Sequence, residues 1–276
     1  MDAGSQTVVW RSADEASGRF RWWLWPNLLC LDAPLVTVVW QRFLSSAYGV
    51  HTPAAASACL GLVVWGVYLF DHWCDTRPGR PAESTLRHQV ARDYHIVFGL
   101  AGVVVLGLAV ATAVTELPVT YLYLGGALGL VVAVYLLVVH LVSPVRFLHT
   151  GGKELSVGVV TALGVALPLR VENVGRIGEW GPAVAAFGGL CWLNCRLIAF
   201  WERQPGTDGS PRSLLLPATW TAILSCFSHS TVAFALLGAM VLLGCLHLTR
   251  QRFGLSALRV LADAALLTPL PFWCLT

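Results

Sequence analysis

Long apolar runs separated by short polar segments fill almost the whole chain. A helix needs about 20 apolar residues to cross the hydrocarbon core of a bilayer, and nine of these runs come close to that length. Because lipid offers no hydrogen-bond partner to the backbone, each run is expected to be a helix. The seventh run is short. The predicted spans are 28–48, 54–72, 94–114, 119–142, 154–170, 182–201, 213–228, 230–248 and 255–274.

The composition is that of an integral membrane protein. Hydrophobic residues make up 56% of the chain and charged residues 12%, whereas about 25% of the residues in soluble domains are charged. The pattern therefore predicts an all-α integral membrane protein with about nine transmembrane helices in one bundle. Residues 1–21 are expected to form a cytoplasmic N-terminal tail, and residues 22–276 a single transmembrane helical domain.

The arginines and lysines predict the orientation of this multi-pass protein in the lipid bilayer. With nine spans and a cytoplasmic N-terminus, fifteen of the eighteen Lys and Arg residues fall on the cytoplasmic side. This asymmetry follows the positive-inside rule and places the C-terminus on the opposite side of the membrane. The net charge of +3 is spread over several loops, so the sequence gives no indication of nucleic-acid binding.

The second predicted span ends in two aspartates, Asp71 and Asp75. Residues four apart share one face of a helix, so the two carboxylates are expected to repel each other. A divalent cation would compensate this charge, and Mg²⁺ is commonly held by one or two carboxylates together with substrate phosphates. The alternative is a solvated helix end that needs no ligand. The pair therefore indicates a candidate Mg²⁺ site.

Two other predicted helix ends contain unusual polar residues. Lys153 follows two glycines at the start of span five, where a cation and a helix N-terminus both favour phosphate. Asn194 and Glu202 lie near the end of span six, and Arg77 follows the aspartates of span two. The predicted topology puts all of them on one membrane face, so we expect them to converge. Alternatively, Lys153 is an ordinary positive-inside residue and Glu202 an ordinary juxtamembrane charge.

These motifs resemble the UbiA superfamily of membrane prenyltransferases. That family is built of nine helices, with two aspartate-rich motifs at the cytoplasmic ends of helices two and six. Asp71-x-x-x-Asp75 is similar to part of the first motif, and Leu31-Asp32-Ala-Pro34 is similar to the opening helix. Lys153 stands where the family has a basic residue at the start of helix five. The resemblance extends over nearly the whole chain.

The chain departs from the family pattern in both aspartate-rich motifs. Val67 stands where the first motif has an asparagine. Gly206 stands where an acid of the second motif would fall, and of that motif only Asn194 and Glu202 are represented. The first motif is thus better preserved than the second.

The resemblance implies transfer of a prenyl group from a polyprenyl diphosphate to a hydrophobic acceptor, aromatic or lipid, with Mg²⁺ as cofactor. It implies catalysis and metal binding by Asp71, Asp75 and Glu202, and diphosphate binding by Lys153, Arg77 and Asn194. Two alternatives stay open. One is a terpene cyclase of the same fold, which needs no acceptor. The other is a catalytically decayed isoprenoid-binding or structural membrane protein.

Two further patterns concern the inside of the bundle. Asp32 is a charge within the first span, and such charges usually face a cavity or pair with another group. Glycines in the third to fifth spans, such as Gly125 and Gly126, are expected to allow close helix packing.

Overall fold

The computed structural model describes residues 22–76, 86–141, 152–172, 177–202 and 212–273, which are helical apart from short turns. Nine of the helices in these ranges have more than ten residues. They are α1 (Asp32–Ala47), α2 (Ala54–Asp75), α3 (His95–Glu116), α4 (Val119–Leu141), α5 (Lys153–Glu172), α6 (Ile177–Glu202), α7 (Arg212–Ser225), α8 (Ser230–Thr249) and α9 (Leu255–Ala265). The shorter segments are Trp22–Leu24, Trp25–Leu28, Leu86–Asp93, Arg250–Arg252 and Pro269–Phe272. The predicted tail, residues 1–21, lies outside the described residues.

Seven helical segments of the described chain are long and apolar enough to cross a membrane, and the bent first span makes an eighth. α7, with 14 residues, is shorter than a crossing requires. Large apolar side chains on α3 and α4 point outwards and suit contact with lipid, among them Leu100, Val103, Leu130 and Leu137. The prediction of an all-helical membrane protein is therefore confirmed, with seven or eight possible crossings.

The first predicted span is broken by a sharp bend. Trp22–Leu28 meets α1 at an angle of 77°. Within the bend, Cys30 has a φ of 59°, which is uncommon for a residue with a side chain. The Asp32 carboxylate accepts hydrogen bonds from the next backbone N–H and from the Asn27 side-chain amide. Asp32 therefore has the partner that a charge inside a span requires, and it stabilises the start of α1.

The main hydrophobic core lies between α1, α5, α6, α8 and α9. Trp40 of α1 is fully buried and packs on Phe187 of α6, with 4.8 Å between the ring centroids. Its indole N–H donates to the Leu266 carbonyl at 2.7 Å. Leu266 follows the last residue of α9, where helix carbonyls lack partners within the helix. One side chain therefore joins α1 to α6 and to the end of α9.

A second, smaller core holds the end of α2 against α3. Leu69 of α2 packs with Phe98 and Val105 of α3. One turn further on, Trp73 lies so close to Gly99 that a Cβ at that glycine would be 2.8 Å from the indole nitrogen. Any larger residue at position 99 would push the indole away. This tight contact fixes the last turns of α2, which contain the two aspartates.

Close helix packing through glycine occurs between α5 and α6. A Cβ at Gly158 would lie 2.5 Å from the Gly188 carbonyl oxygen, so only glycine lets the two backbones approach this closely. By contrast, a Cβ at Gly125 or Gly126 of α4 would meet no described atom within 4 Å. The expected packing role is therefore wrong for Gly125 and Gly126, because α4 lies at the outside of the bundle.

Candidate functional site

The last two turns of α2 present Asp71 and Asp75, both partly buried. The helix ends immediately afterwards, at Thr76. The Thr76 hydroxyl donates to the His72 carbonyl at 2.9 Å, which also accepts the Thr76 backbone N–H, and lies 3.4 Å from the Trp73 carbonyl at the helix end. The His72 side chain is buried and its Nδ1 lies 2.8 Å from the Tyr68 carbonyl. The two carboxylates thus stand in the last turns of a helix that ends in a local hydroxyl contact.

Tyr135, near the end of α4, lies at the meeting point of several polar groups. Four of them lie within electrostatic range of its phenol oxygen, namely Lys153, Asp71, Cys195 and Glu154. They belong to α2, α5 and α6, so four helices including α4 contribute. The Tyr135 hydroxyl is buried and has no hydrogen-bond partner within the described residues. Asp71 and Lys153 are therefore both neighbours of Tyr135, and their expected convergence in one functional site stays a prediction.

The start of α5 is tied to α6 by an ion pair. Glu154, the second residue of α5, has its Oε1 atom 3.4 Å from Nη1 of Arg196. The two side chains are only 17% and 9% exposed, respectively. Such a pair holds two helices together, and loss of one partner would leave a poorly solvated charge. The second carboxylate oxygen of Glu154 is buried and accepts no hydrogen bond from the described residues.

The last turn of α9 is joined to α6 by a polar pair. The Asn194 side-chain amide donates to Oδ1 of Asp263 at 2.9 Å. Asn194 is only 6% exposed, and its own oxygen is buried without a partner in the described part of the chain. The neighbouring Cys195 lies within electrostatic range of Asp263, Glu154 and Lys153, so this pair lies near the start of α5. We call the combined set the polar layer; its members are Asp71, Tyr135, Lys153, Glu154, Asn194, Cys195, Arg196 and Asp263.

Glu202, the last residue of α6, is paired with Arg259 in the second turn of α9. Its Oε1 atom accepts from both Nε and Nη2 of the guanidinium group. Arg259 is nearly buried, with 9% of the residue exposed. In the structure, the Glu202 charge is thus compensated by an arginine from another helix.

The structure brings together some of the residues predicted from the sequence and separates others. Asp71, Lys153 and Asn194 belong to the polar layer, and Asp75 lies one turn beyond Asp71. Glu202 forms a separate pair with Arg259. Arg77 lies outside the described residues.

Six polar residues of this region received no role from the sequence, namely Tyr135, Glu154, Cys195, Arg196, Arg259 and Asp263. For Asp263 and Arg259 a signal was present, because both are charges within the ninth apolar run and such charges usually have a functional or structural partner. Glu154 directly follows Lys153 and could have been considered with it. Tyr135 has no distinguishing pattern in its surroundings.

The donor set near the end of α2 supplies only part of the ligands that Mg²⁺ requires. The described residues contain no group of three or more His, Cys, Asp or Glu side chains that could hold a metal ion. Asp71 and Asp75 nevertheless provide two hard oxygen ligands on one helix face, and Mg²⁺ usually takes one or two carboxylates and completes its shell with phosphates and water. The residues therefore fit an ion that arrives with a phosphorylated substrate.

No known protein family, curated protein or solved structure matches this chain. What can be said about function therefore rests on the polar layer. It places a lysine, three carboxylates and an arginine among helices whose outer surfaces are apolar. Such an arrangement suits an amphiphilic ligand with a charged head and a hydrophobic tail.

Proposed function

We propose that the chain is a UbiA-like prenyltransferase, which moves a prenyl group from a polyprenyl diphosphate to an aromatic or lipid acceptor. The observation that supports this best is the meeting of Asp71, from α2, and Lys153, from α5, around Tyr135. An aspartate and a lysine from separate helices, at one end of an apolar bundle, can bind a metal-bound diphosphate while the tail lies between helices. Each buried CH₂ of that tail would contribute about 0.8 kcal/mol.

In this proposal Asp71 and Asp75 hold Mg²⁺, which would neutralise the diphosphate leaving group. Lys153 contacts the diphosphate through its ammonium group and through the helix N-terminus on which it stands. Arg77, which follows α2 in the sequence, adds a second cation. Glu202 is a weaker ligand candidate, because its Oε1 atom already accepts two N–H groups of Arg259.

We further propose nine crossings, with the N-terminus cytoplasmic and the C-terminus on the opposite side. The stretch between α6 and α8 supports the seventh crossing. Tyr48 interacts electrostatically with Glu179 in the first turn of α6, and its hydroxyl accepts from the His229 backbone N–H at 3.4 Å. His229 thus lies at the start of α6, whereas Glu202 is its last residue. The chain from Glu202 to His229 must return along α6, and α7 lies in that stretch.

The proposed activity is tested with purified protein, Mg²⁺ and farnesyl or geranylgeranyl diphosphate, by following pyrophosphate release with and without phenolic and lipid acceptors. Release that requires an acceptor is expected for wild type, with at least a tenfold loss in Asp71→Asn. Asp93→Asn, the same chemical change at an exposed position, is the matched control and should release pyrophosphate normally. If wild type neither binds the prenyl diphosphate nor releases pyrophosphate, the proposal is contradicted.

A second candidate function is favoured by the Glu202–Arg259 pair. If that carboxylate is permanently occupied, the chain is a catalytically inactive isoprenoid-binding membrane protein of the same fold. The same experiment separates the candidates, since Mg²⁺-dependent binding of the diphosphate without release would indicate the inactive protein. Release without any acceptor would instead indicate a terpene cyclase.

A further inference from the structure

The Asn194 side chain has a hydrogen-bonding requirement that the described chain does not meet. Its amide nitrogen donates to the Asp263 carboxylate at 2.9 Å, whereas its oxygen is buried and accepts nothing from the described residues. A carboxylate can only accept hydrogen bonds, so the nitrogen must point to Asp263 and the oxygen must point away from it. The missing partner of Asn194 is therefore a hydrogen-bond donor.

A second atom of the polar layer has the same requirement. Glu154 uses Oε1 for Arg196, and its Oε2 atom is buried without a partner among the described residues. Cys195, next to Asn194, lies within electrostatic range of both Asp263 and Glu154. The two acceptor atoms that lack a partner in the described chain, the Asn194 oxygen and Oε2 of Glu154, therefore lie in one neighbourhood. Buried polar groups are rarely left without partners, and a ligand is one way of satisfying them.

A diphosphate oxygen does not meet the requirement of Asn194. Such oxygens are anionic and only accept hydrogen bonds, so they would leave the Asn194 oxygen unpaired. The second substrate of a prenyl transfer must be a nucleophile, which attacks either through an oxygen lone pair or through an electron-rich ring carbon. A neutral hydroxyl group suits both the nucleophile and Asn194, because it donates a hydrogen bond while its oxygen keeps lone pairs that can attack directly or activate an aromatic ring.

We propose that Asn194, oriented by Asp263, binds the hydroxyl group of the acceptor substrate. This inference rests on the proposed prenyl transfer and deepens it, since a subsite for an acceptor hydroxyl distinguishes a transferase from a cyclase. In this arrangement Asp263 is a positioning residue that fixes the amide, and Asn194 contacts the substrate. The acceptor is then a phenol or an alcohol.

The test compares the binding of two probes, 4-butylphenol and its methyl ether, 4-butylanisole. Only the phenol has a hydroxyl hydrogen to donate. Binding to the purified full-length protein in detergent is measured by calorimetry without any diphosphate. Both probes partition into micelles, so the quantity compared is the change in apparent Kd from wild type to variant. Asn194→Leu should weaken the phenol about tenfold, the value of one hydrogen bond. The apparent Kd of the ether should change by less than about twofold in the same variant.

Two further variants serve as controls. Asn194→Leu leaves Asp263 with one partner fewer, so the double variant Asn194→Leu/Asp263→Leu replaces both polar groups by apolar ones and should show the same loss for the phenol. Gln41→Leu is the matched control, because Gln41 of α1 is also a buried amide whose oxygen lacks a partner in the described chain. It should change neither affinity.

The outcomes separate this inference from the proposed function. Equal changes for phenol and ether in both Asn194 variants, or a loss of phenol binding in Gln41→Leu, would overturn the hydroxyl subsite. Selective loss for the phenol in the Asn194 variants supports it. Pyrophosphate release is measured independently on wild type, so a failed prenyl transfer with intact phenol selectivity would overturn the proposed reaction and leave a hydroxyl-binding site.

Discussion

The polar groups near Tyr135 gather around a shared neighbour, whereas those between α6 and α9 are joined in pairs. Asp71 and Lys153 are both within electrostatic range of Tyr135, and they stand on helices that are far apart in the sequence. Between α6 and α9, Glu202 forms an ion pair with Arg259, and Asn194 donates a hydrogen bond to Asp263. Asp71 thus belongs to the first region, and Asn194 and Glu202 belong to the second.

The difference shows how a membrane bundle can contain charge for two purposes. The Glu202–Arg259 ion pair compensates its own charge and joins two helices without any ligand. A group assembled around Tyr135 depends on the relative positions of α2, α4 and α5, and a charged ligand that bridges these helices would stabilise their arrangement. We therefore expect ligand-dependent effects at Asp71 and an effect on stability at the Glu202–Arg259 pair.

The first prediction is that the polar groups around Tyr135 and those between α6 and α9 lie on the same face of the membrane. Reporters inserted after Arg77 and at Gly206 should both be cytoplasmic, and a reporter fused after Thr276 should lie on the opposite side, because fifteen of the eighteen Lys and Arg residues follow that arrangement. The effect is all-or-none and is measured by reporter activity. Reporters after Arg77 and at Gly206 on opposite sides would refute a shared polar layer, and all three on one side would refute nine crossings.

The second prediction contrasts the two acidic motifs. Asp71→Asn should weaken Mg²⁺-dependent binding of geranylgeranyl diphosphate at least tenfold, because it removes a hard anionic ligand. Glu202→Gln should weaken it less, since the Arg259 pair already occupies that carboxylate. Magnesium titrations by calorimetry measure both, with Asp93→Asn as the control for a lost exposed charge. A larger loss in Glu202→Gln would reverse the importance of the two motifs, and equal affinity in all variants would exclude a metal site at either.

The third prediction concerns the ion pair between α5 and α6. Arg196→Met should lower the free energy of unfolding, because it leaves Glu154 as a poorly solvated, unpaired charge. The double variant Arg196→Met/Glu154→Gln should recover part of the loss, with a coupling energy of about 1–3 kcal/mol. Thermal unfolding in detergent, followed by tryptophan fluorescence, measures the series. Strictly additive effects would show that the pair contributes nothing to stability.

The sequence predicted the helices well and the contacts between them poorly. The predicted span 54–72 corresponds to Ala54–Asp75, and 94–114 to His95–Glu116, because apolar runs directly reflect the thickness of the bilayer. The bend before α1 was not predicted, since it depends on the local bonds of Asp32 and on the backbone of Cys30. A hydropathy pattern contains neither.

Partner choice in the polar layer could not be predicted either. Glu154 and Arg196 are 42 residues apart, and Asn194 and Asp263 are 69 apart. Such pairs depend on which helices are neighbours and on their rotation about their axes, and a single sequence specifies neither through its apolar runs. The distribution of Lys and Arg predicts that these polar residues lie on one membrane face, and this stays a prediction.

The fourth prediction has the smallest effect and compares the packing of α4 with that of α5. Gly125→Ala should stabilise the protein by up to about 1 kcal/mol, because alanine is the better helix former and a Cβ at position 125 meets no described atom within 4 Å. Gly158→Ala should destabilise it, since its Cβ would lie 2.5 Å from the Gly188 carbonyl oxygen and α5 would have to move. Both variants add one methyl group to a membrane helix, so each is the control for the other. The midpoints of thermal unfolding should therefore shift in opposite directions.

A destabilised Gly125→Ala would mean that α4 is packed against another surface through this glycine, and an unaffected Gly158→Ala would contradict the close approach of α5 to α6.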